Sequence, residues 1–315
     1  MINTGVALLA FAEARNWTGD GCIPPNLPNM PDGHRDLVMK VSRDRGRTWG
    51  PQQLMYEGGL NSAAVFDAVR QRAIVHLIGA DGVTQLNCSA DGAECEIASV
   101  AHFLGKYNHT SPGPGLGVQL QVGEHRGRLV FAGHHNFEDV VWFSDDGGHT
   151  WKLSASAFST NNPWPASSDQ FDEPQPVEMP DGTVVINMRN DTTMGGHYPH
   201  PRSLAVSTDG GASFGPARQE PALLEPLSGC QASLVRADQR VFYSGPLGWA
   251  RVNMTIRTWE DGQWLGPGTT PFHHFSIASR HSASYFAPPR PPPSPLACPL
   301  GHQPSSQMTR PNDPP

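Results

Sequence analysis

The sequence predicts an all-β propeller. Three observations carry that prediction: a turn motif repeating at blade-length spacing, short alternating strands between the copies, and a composition rich in turn formers but poor in charge. The 315 residues include 33 glycines and 31 prolines, and only 16% are charged, against about a quarter in an average domain. Long helices and coiled coils are excluded on that ground. The formal charge of −7, from 29 acidic and 22 basic residues, supplies no basic field for nucleic acid and no polybasic face for a membrane. No apolar run approaches the roughly 18 residues of a membrane span. Gly5 to Ala12 is apolar but has no basic flank and runs into Glu13 and Arg15, so it reads as a strand rather than a signal peptide.

The repeat is explicit. Ser42-Arg43-Asp44-Arg45-Gly46-Arg47-Thr48-Trp49 returns as Ser144-Asp145-Asp146-Gly147-Gly148-His149-Thr150-Trp151 and as Ser207-Thr208-Asp209-Gly210-Gly211-Ala212-Ser213-Phe214. Weaker copies stand at Ser89-Ala90-Asp91-Gly92 and Trp259-Glu260-Asp261-Gly262-Gln263-Trp264. Successive copies lie 47 to 63 residues apart, the spacing of a four-stranded unit. Each is read as a tight turn in which Asp accepts backbone N–H groups, Gly supplies the turn geometry and the aromatic ring fills the space beside it. These turns are structural staples rather than active sites.

An alternating strand precedes each copy, as at Leu37 to Val41 and Val140 to Phe143, which places the turn between the outer strands of a small antiparallel sheet. Further strands are expected at Ala73 to Ile78, Gly117 to Val122, Arg128 to Ala132, Thr183 to Met188, Ser233 to Val235 and Arg240 to Ser244. Four strands per repeat in a radial array suit this count. The propeller domain is assigned to residues 1–266. Residues 267–315 form a proline-rich segment, with 11 prolines among the 29 residues after Phe286, and are expected to be a disordered tail. Of the cysteines at 22, 88, 95, 230 and 298, only Cys88 and Cys95 are suitably placed for a disulfide, and none makes a metal-type pair with a nearby histidine. Asn-x-Ser/Thr sequons begin at Asn16, Asn87, Asn108, Asn190 and Asn253, which leans toward the secretory pathway.

The residues the fold does not need point to the site. In Phe171 to Arg189 the turn Pro180-Asp181-Gly182 makes position i face position 362 − i, so Gln175 faces Asn187 and Glu173 faces Arg189. An acid and an arginine thus meet at the mouth of the hairpin; a cross-strand salt bridge is the plain reading. In Arg251-Val252-Asn253-Met254-Thr255-Ile256-Arg257 the polar residues share one face and the apolar residues the other. Val252, Met254 and Ile256 are expected to pack between blades, with Arg251 aimed at the channel and Arg257 solvated.

The turns resemble the Asp-boxes of sialidases. Phe11 to Arg15, Pro174 to Asn190 and Arg251 to Thr255 are similar to segments of the lysosomal-type exo-α-sialidase branch, and the similarity covers about residues 5 to 266. The resemblance implies a six-bladed propeller that removes terminal sialic acid from glycans with retention, using a tyrosine nucleophile. It implies that Arg189 and Arg251 bind the sialic acid carboxylate, for which the planar guanidinium is suited, and that Glu173 takes the phenol proton. An aspartate on the loop after the first long strand is the acid/base. Counting forward selects Asp20, counting back from Ser42 selects Asp32, and Asp36 is a third choice. No metal or organic cofactor is implied; the partner is a sialylated glycan, in a lysosomal, secretory or otherwise cytoplasmic setting.

Two departures bear on activity. The first arginine of the family's carboxylate-binding triad and the usual nucleophile context are not found. Tyr285 is the nearest tyrosine, in surroundings that do not match, and about five blades are accounted for. A chain truncated at both ends is therefore expected. The competing reading is a catalytically inactive sialic-acid-binding or structural propeller.

Overall fold

In the computed structural model five antiparallel sheets follow one another along the chain as blades. The structure describes residues 1–15, 35–135, 138–156, 171–190, 200–226, 229–246, 251, 254–260 and 262–265, all within one compact unit spanning Met1–Asn16 and Pro31–Ile277. Blade I consists of Ile2–Asn3, Leu8–Arg15, Arg35–Ser42 and Gln53–Glu57. Blade II is Leu60–Asp67, Arg72–Gly79, Gly82–Ser89 and Cys95–Ser99, with Gly115–Leu116 added in parallel to its first strand. Blade III is Val118–Gln119, Leu129–His135, Glu138–Ser144 and Lys152–Leu153. Blade IV is Phe171–Glu178, Val184–Asn190, His200–Ser207 and Arg218–Glu225; blade V is Ser233–Ala237, Arg240–Pro246, Met254–Glu260 and Gln263–Leu265.

The first strands surround the axis. Ile2, Val65, Val118, Val177 and Leu234, one from each blade, line a single cavity of about 320 Å³. Apolar residues at alternate positions face the neighbouring blade, as period-two strands buried on both faces require. Leu9, Leu37 and Met39 of blade I pack with Val75, Leu77 and Leu86 of blade II. Ile74 and Val65 of blade II meet Phe131 and Trp142 of blade III; Val130, Ala132, Val141 and Phe143 of blade III meet Val184, Ile186 and Met188 of blade IV. Val177 and Val185 of blade IV pack on Leu234, Val241 and Tyr243 of blade V.

The repeated turns sit between third and fourth strands, as the sequence pattern requires. In the turn at Ser144, Asp146 accepts the N–H groups of His149 and Thr150 and the Thr150 hydroxyl at 2.7–3.0 Å. The turns at Ser42 and Ser207 repeat this pattern through Asp44 and Asp209. These bonds pull the Asp44 and Asp146 carboxyls down to about 2, in Asp146 against the opposing effect of its partial burial. The turns of blades II, III and IV also reach back to the preceding blade. Thr4 Oγ1 of blade I donates to Ala90 O, Arg72 of blade II donates to Gly147 O, and Arg128 of blade III donates to Asp209 O and Gly210 O. The aromatic residue completes the clamp where it is buried: Trp151 is 3% exposed and Phe214 5%, whereas Trp49 of blade I remains 38% exposed.

A polar chain runs through the core between blades II and III. His76 is fully buried; its Nδ1 accepts from Trp142 Nε1 at 3.0 Å, its Nε2 lies 3.0 Å from Gln85 Oε1, and Trp151 Nε1 donates to the same oxygen at 2.9 Å. The imidazole stacks on Phe131 at 4.2 Å. Accepting from Trp142 fixes the neutral Nε2–H tautomer, and burial lowers the His76 pKa to about 4. Cys88 and Cys95 form the expected disulfide across the outer hairpin of blade II.

Blade V departs from expectation. Met254 is 53% and Ile256 62% exposed, so the apolar face of the third strand looks away from blade IV instead of packing between blades. Its polar face turns inward: Arg257 is half-buried and interacts with the buried Tyr243. The surface of blade IV that faces blade V carries Arg202 and Glu225, both fully buried. Their charge acts on Tyr243. Among the described residues no apolar cluster joins blade V to blade I. Residues 266–315, including the proline-rich segment, lie outside the described residues, as do Asp20, Asp32 and Tyr285.

Candidate functional site

Strand polarity collects the chemistry at one end. First strands start, and second strands finish, on the same face: Glu173 near the start of one strand, Arg189 near the end of the next. Arg251 lies between the second and third strands of blade V, on that face. The Asp-box turns lie at the other. Met188 pairs with Ser203 and Val184 with Ser207, so the turn that opens at Ser207 is about 17 Å from Arg189 along the sheet.

The hairpin register holds from Glu178–Val184 to Gln175–Asn187 and then slips. Arg189 pairs with Asp172 and not with Glu173, because a bulge intervenes between Asp172 and Gln175. Two features force it. Pro174 has no N–H to give the ladder, and Glu173 adopts φ +45°, a left-handed conformation that costs a non-glycine residue about 1–2 kcal/mol. The bulge re-aims the side chain. Glu173 Oε2 thereby reaches Arg189 Nη1 at 2.8 Å although the two residues are not directly opposed. The salt bridge expected from the sequence is present, and its backbone geometry is different.

Neighbouring groups complete the cluster. On blade III, Val130 and Ala132 face blade IV, and two residues further the same strand face presents His134. His134 pairs with Asp139 across the sheet, so both point toward Phe171 and Asp172. His134 Nδ1 stands 2.9 Å from Asp172 Oδ1, off hydrogen-bond alignment. Asp172 Oδ1 accepts the Glu173 N–H at 2.8 Å, and Oδ2 lies 3.8 Å from Arg189 Nη1. Burial acts to raise the Asp172 pKa, yet His134, Arg189 and the Glu173 N–H together hold it below the ordinary value. Asp139 is the opposite case. It is 2% exposed and among the described residues neither oxygen has a hydrogen-bond partner; burial first, then the charge of Asp172, raises its pKa well above the ordinary value.

Behind Arg189, Arg202 donates to Asn187 Oδ1, Glu225 Oε2 and Cys230 O at 2.6–2.7 Å. Glu225 accepts the Asn190 N–H at 2.8 Å, and burial raises it to about 7 despite Arg202. This pair pins the end of the strand that carries Arg189. Gly229 leaves room beside it: φ is +66° and a Cβ would come 2.7 Å from Arg189 Nε. The half-buried Cys230 thiol is raised by burial, with Arg251, Glu173, Arg189 and Arg202 all acting on it. Arg251 and Arg189 therefore bear on one point of the mouth.

Of the residues singled out from sequence, the structure brings Glu173 and Arg189 into contact and places the exposed Arg251 on the same face. Sequence reasoning missed Asp172, His134, Asp139, Arg202 and Glu225. For His134 a signal existed: a histidine continuing the apolar alternation Val130, Ala132. Chemically, the mouth offers guanidinium groups for an anionic ligand and a partly buried carboxylate able to accept a proton. Among the described residues no cluster of three or more His, Cys, Asp or Glu could hold a metal ion, and no helix is long and apolar enough to cross a membrane.

The chain is 35% identical over 259 residues to a sialidase of Micromonospora viridifaciens, a match covering 71% of this chain and 37% of that protein. It thus spans little more than a third of that relative's length. Among solved structures, the leech intramolecular trans-sialidase in complex with 2,7-anhydro-Neu5Ac superposes with a TM-score of 0.64 at 14% identity, covering 81% of this chain and 56% of that one. The intramolecular trans-sialidase of Ruminococcus gnavus in complex with oseltamivir carboxylate gives 0.63 at 14% identity, covering 83% and 81%. No protein-family model matches the chain.

Proposed function

The chain belongs to the sialidase family, and from that premise we propose that it is the catalytic module of an exo-α-sialidase, cleaving terminal sialic acids from glycoconjugates with retention. The observation that carries the proposal is the Glu173–Arg189 contact of 2.8 Å at the mouth. It is made across a bulge, with the glutamate held in a left-handed backbone conformation. Non-glycine residues held in such backbone conformations concentrate at functional sites.

In this reading Arg189 and Arg251 hold the substrate carboxylate by charge-assisted hydrogen bonds. Glu173 accepts the proton of a tyrosine hydroxyl as the phenolate oxygen attacks the anomeric carbon. An aspartate, Asp20 or Asp32, protonates the departing glycosidic oxygen and then takes a proton from the water that releases the sugar. Tyr285 is the candidate nucleophile. The three segments similar to the lysosomal-type branch support placing the chain there, and the sequons favour the secretory pathway.

The test is turnover of a fluorogenic sialoside by the purified chain. Glu173→Gln and Arg189→Ala are each expected to reduce kcat/KM, the latter by the factor that about 2–5 kcal/mol of lost charge pairing implies. Tyr285→Phe is expected to abolish turnover. Sialic acid binding that needs Arg189, with no turnover at any pH, would establish a binding propeller instead. Turnover indifferent to Glu173 would refute the assigned roles.

A further inference from the structure

We propose that Asp172, supported by His134, is a positioning residue that sets the pose of Glu173. It fixes the backbone from which Glu173 projects, and it divides the Arg189 guanidinium with Glu173. The bulge leaves the Glu173 N–H outside the strand ladder, and Asp172 Oδ1 takes it at 2.8 Å. That bond closes the left-handed turn at the one residue of this hairpin whose φ is positive without being glycine. The same oxygen lies 2.9 Å from His134 Nδ1 on the neighbouring blade, so the turn is referenced to blade III as well as blade IV. The other oxygen stands 3.8 Å from Arg189 Nη1, the same nitrogen that meets Glu173 at 2.8 Å. Two consecutive carboxylates thus bear on the one nitrogen, Glu173 the nearer.

Asp139 explains why the arrangement is one-sided. It approaches Asp172 from blade III as a buried acid, and among the described residues its two oxygens make no hydrogen bond. Burial disfavours a charge on Asp139, whereas His134, Arg189 and the Glu173 N–H favour one on Asp172, the carboxylate that takes the N–H and faces the arginine. His134, Asp139, Arg189, Glu173 and Arg202 are the ionisable groups that act on this pair of carboxylates. The proposal rests on the reading of Glu173 as a general base only for its kinetic consequence, since the geometric claim stands on the contacts themselves.

The experiment is residue-resolved amide hydrogen exchange of the full chain, for the wild type, Asp172→Ala and Asp172→Asn. Asp172→Ala is expected to speed exchange at Glu173 N–H by about tenfold or more, with Val177 and Ile186 in the adjoining ladder unchanged. Asp172→Asn, whose side-chain oxygen still accepts the N–H, restores protection. Unchanged exchange at Glu173, or acceleration spread evenly along Phe171–Glu178 and Val184–Asn190, overturns the proposal, because the first denies the anchor and the second makes Asp172 a general stabiliser. On sialoside, Asp172→Ala is expected to lower kcat on the order of 10²-fold, as misplacement of a reacting group does, with KM within threefold and Asn recovering part of the loss. A wild type without turnover contradicts the hydrolase reading, while the exchange result still decides the positioning claim.

Discussion

Acidification should destabilise this protein through one imidazole. His76 is wholly buried between blades II and III, receives the Trp142 N–H on Nδ1 and is lowered to about 4. In the unfolded chain it titrates near 6.5. A base whose folded pKa is depressed contributes stability that is complete above the unfolded value and is lost as pH falls toward the folded one. The window is therefore from about pH 6.5 down to 4. Integrating between those values, the loss between pH 7.5 and 5.0 is ~2 kcal/mol. Glu225, raised to about 7, and Asp139, also raised, act in the opposite sense: protonation relieves their burial, so they favour the fold as pH drops. The His76 contribution is isolated by comparing the wild type with His76→Gln, in which both acids remain and cancel. Urea unfolding at pH 7.5 and 5.0 gives four free energies. The wild type is expected to lose ~2 kcal/mol more than the variant between the two pH values. An excess loss under ~0.5 kcal/mol would mean that the ring is solvated or already charged in the fold, and the neutral-tautomer argument would be wrong.

Other expectations are local. Removing the Asp-box carboxylate by Asp146→Ala should cost about 1–2 kcal/mol, read as a lower urea midpoint, since four donors lose their acceptor at a largely solvated turn. Replacing Cys88 and Cys95 by alanine should cost ~2 kcal/mol for so short a loop, measured by the same titration. Gly229→Ala should depress sialoside binding more than stability, because the added Cβ meets Arg189 Nε; calorimetric titration with sialic acid checks it, and unaltered affinity would show that Arg189 has room to move.

The blades were legible because their signals are local. The Asp-box repeat fixes where third strands end, and period-two alternation marks which face of Leu129–His135 or Val184–Asn190 meets a neighbour. Glu173 and Arg189 were legible as a pair because the turn at Pro180-Asp181-Gly182 fixes hairpin register. The slip at Glu173 was not, since counting back from a turn assumes an unbroken ladder, and Pro174 was the residue that should have warned otherwise. The exposed face of Met254 and Ile256 was misjudged for a different reason. Alternation shows that a strand has two faces but does not say which one meets blade IV, whose facing surface is set by residues far away in sequence. His134 and Asp139 join the site only through the packing of blade III on blade IV, which no single segment encodes.

The alternation of strand direction has a consequence for engineering. Second strands end and third strands begin on the face of the mouth, and the stretches of sequence between them, residues 16–34, 80–81, 136–137, 191–199 and 247–253, range from two residues to nineteen. The clamps that hold neighbouring blades together sit on the opposite face, in the Asp-box turns. Variation in length and cohesion between blades thus fall at opposite ends of the strands. Changes confined to the stretches between second and third strands leave the clamps untouched, whereas the same number of changes among the Asp-boxes would act on the scaffold itself.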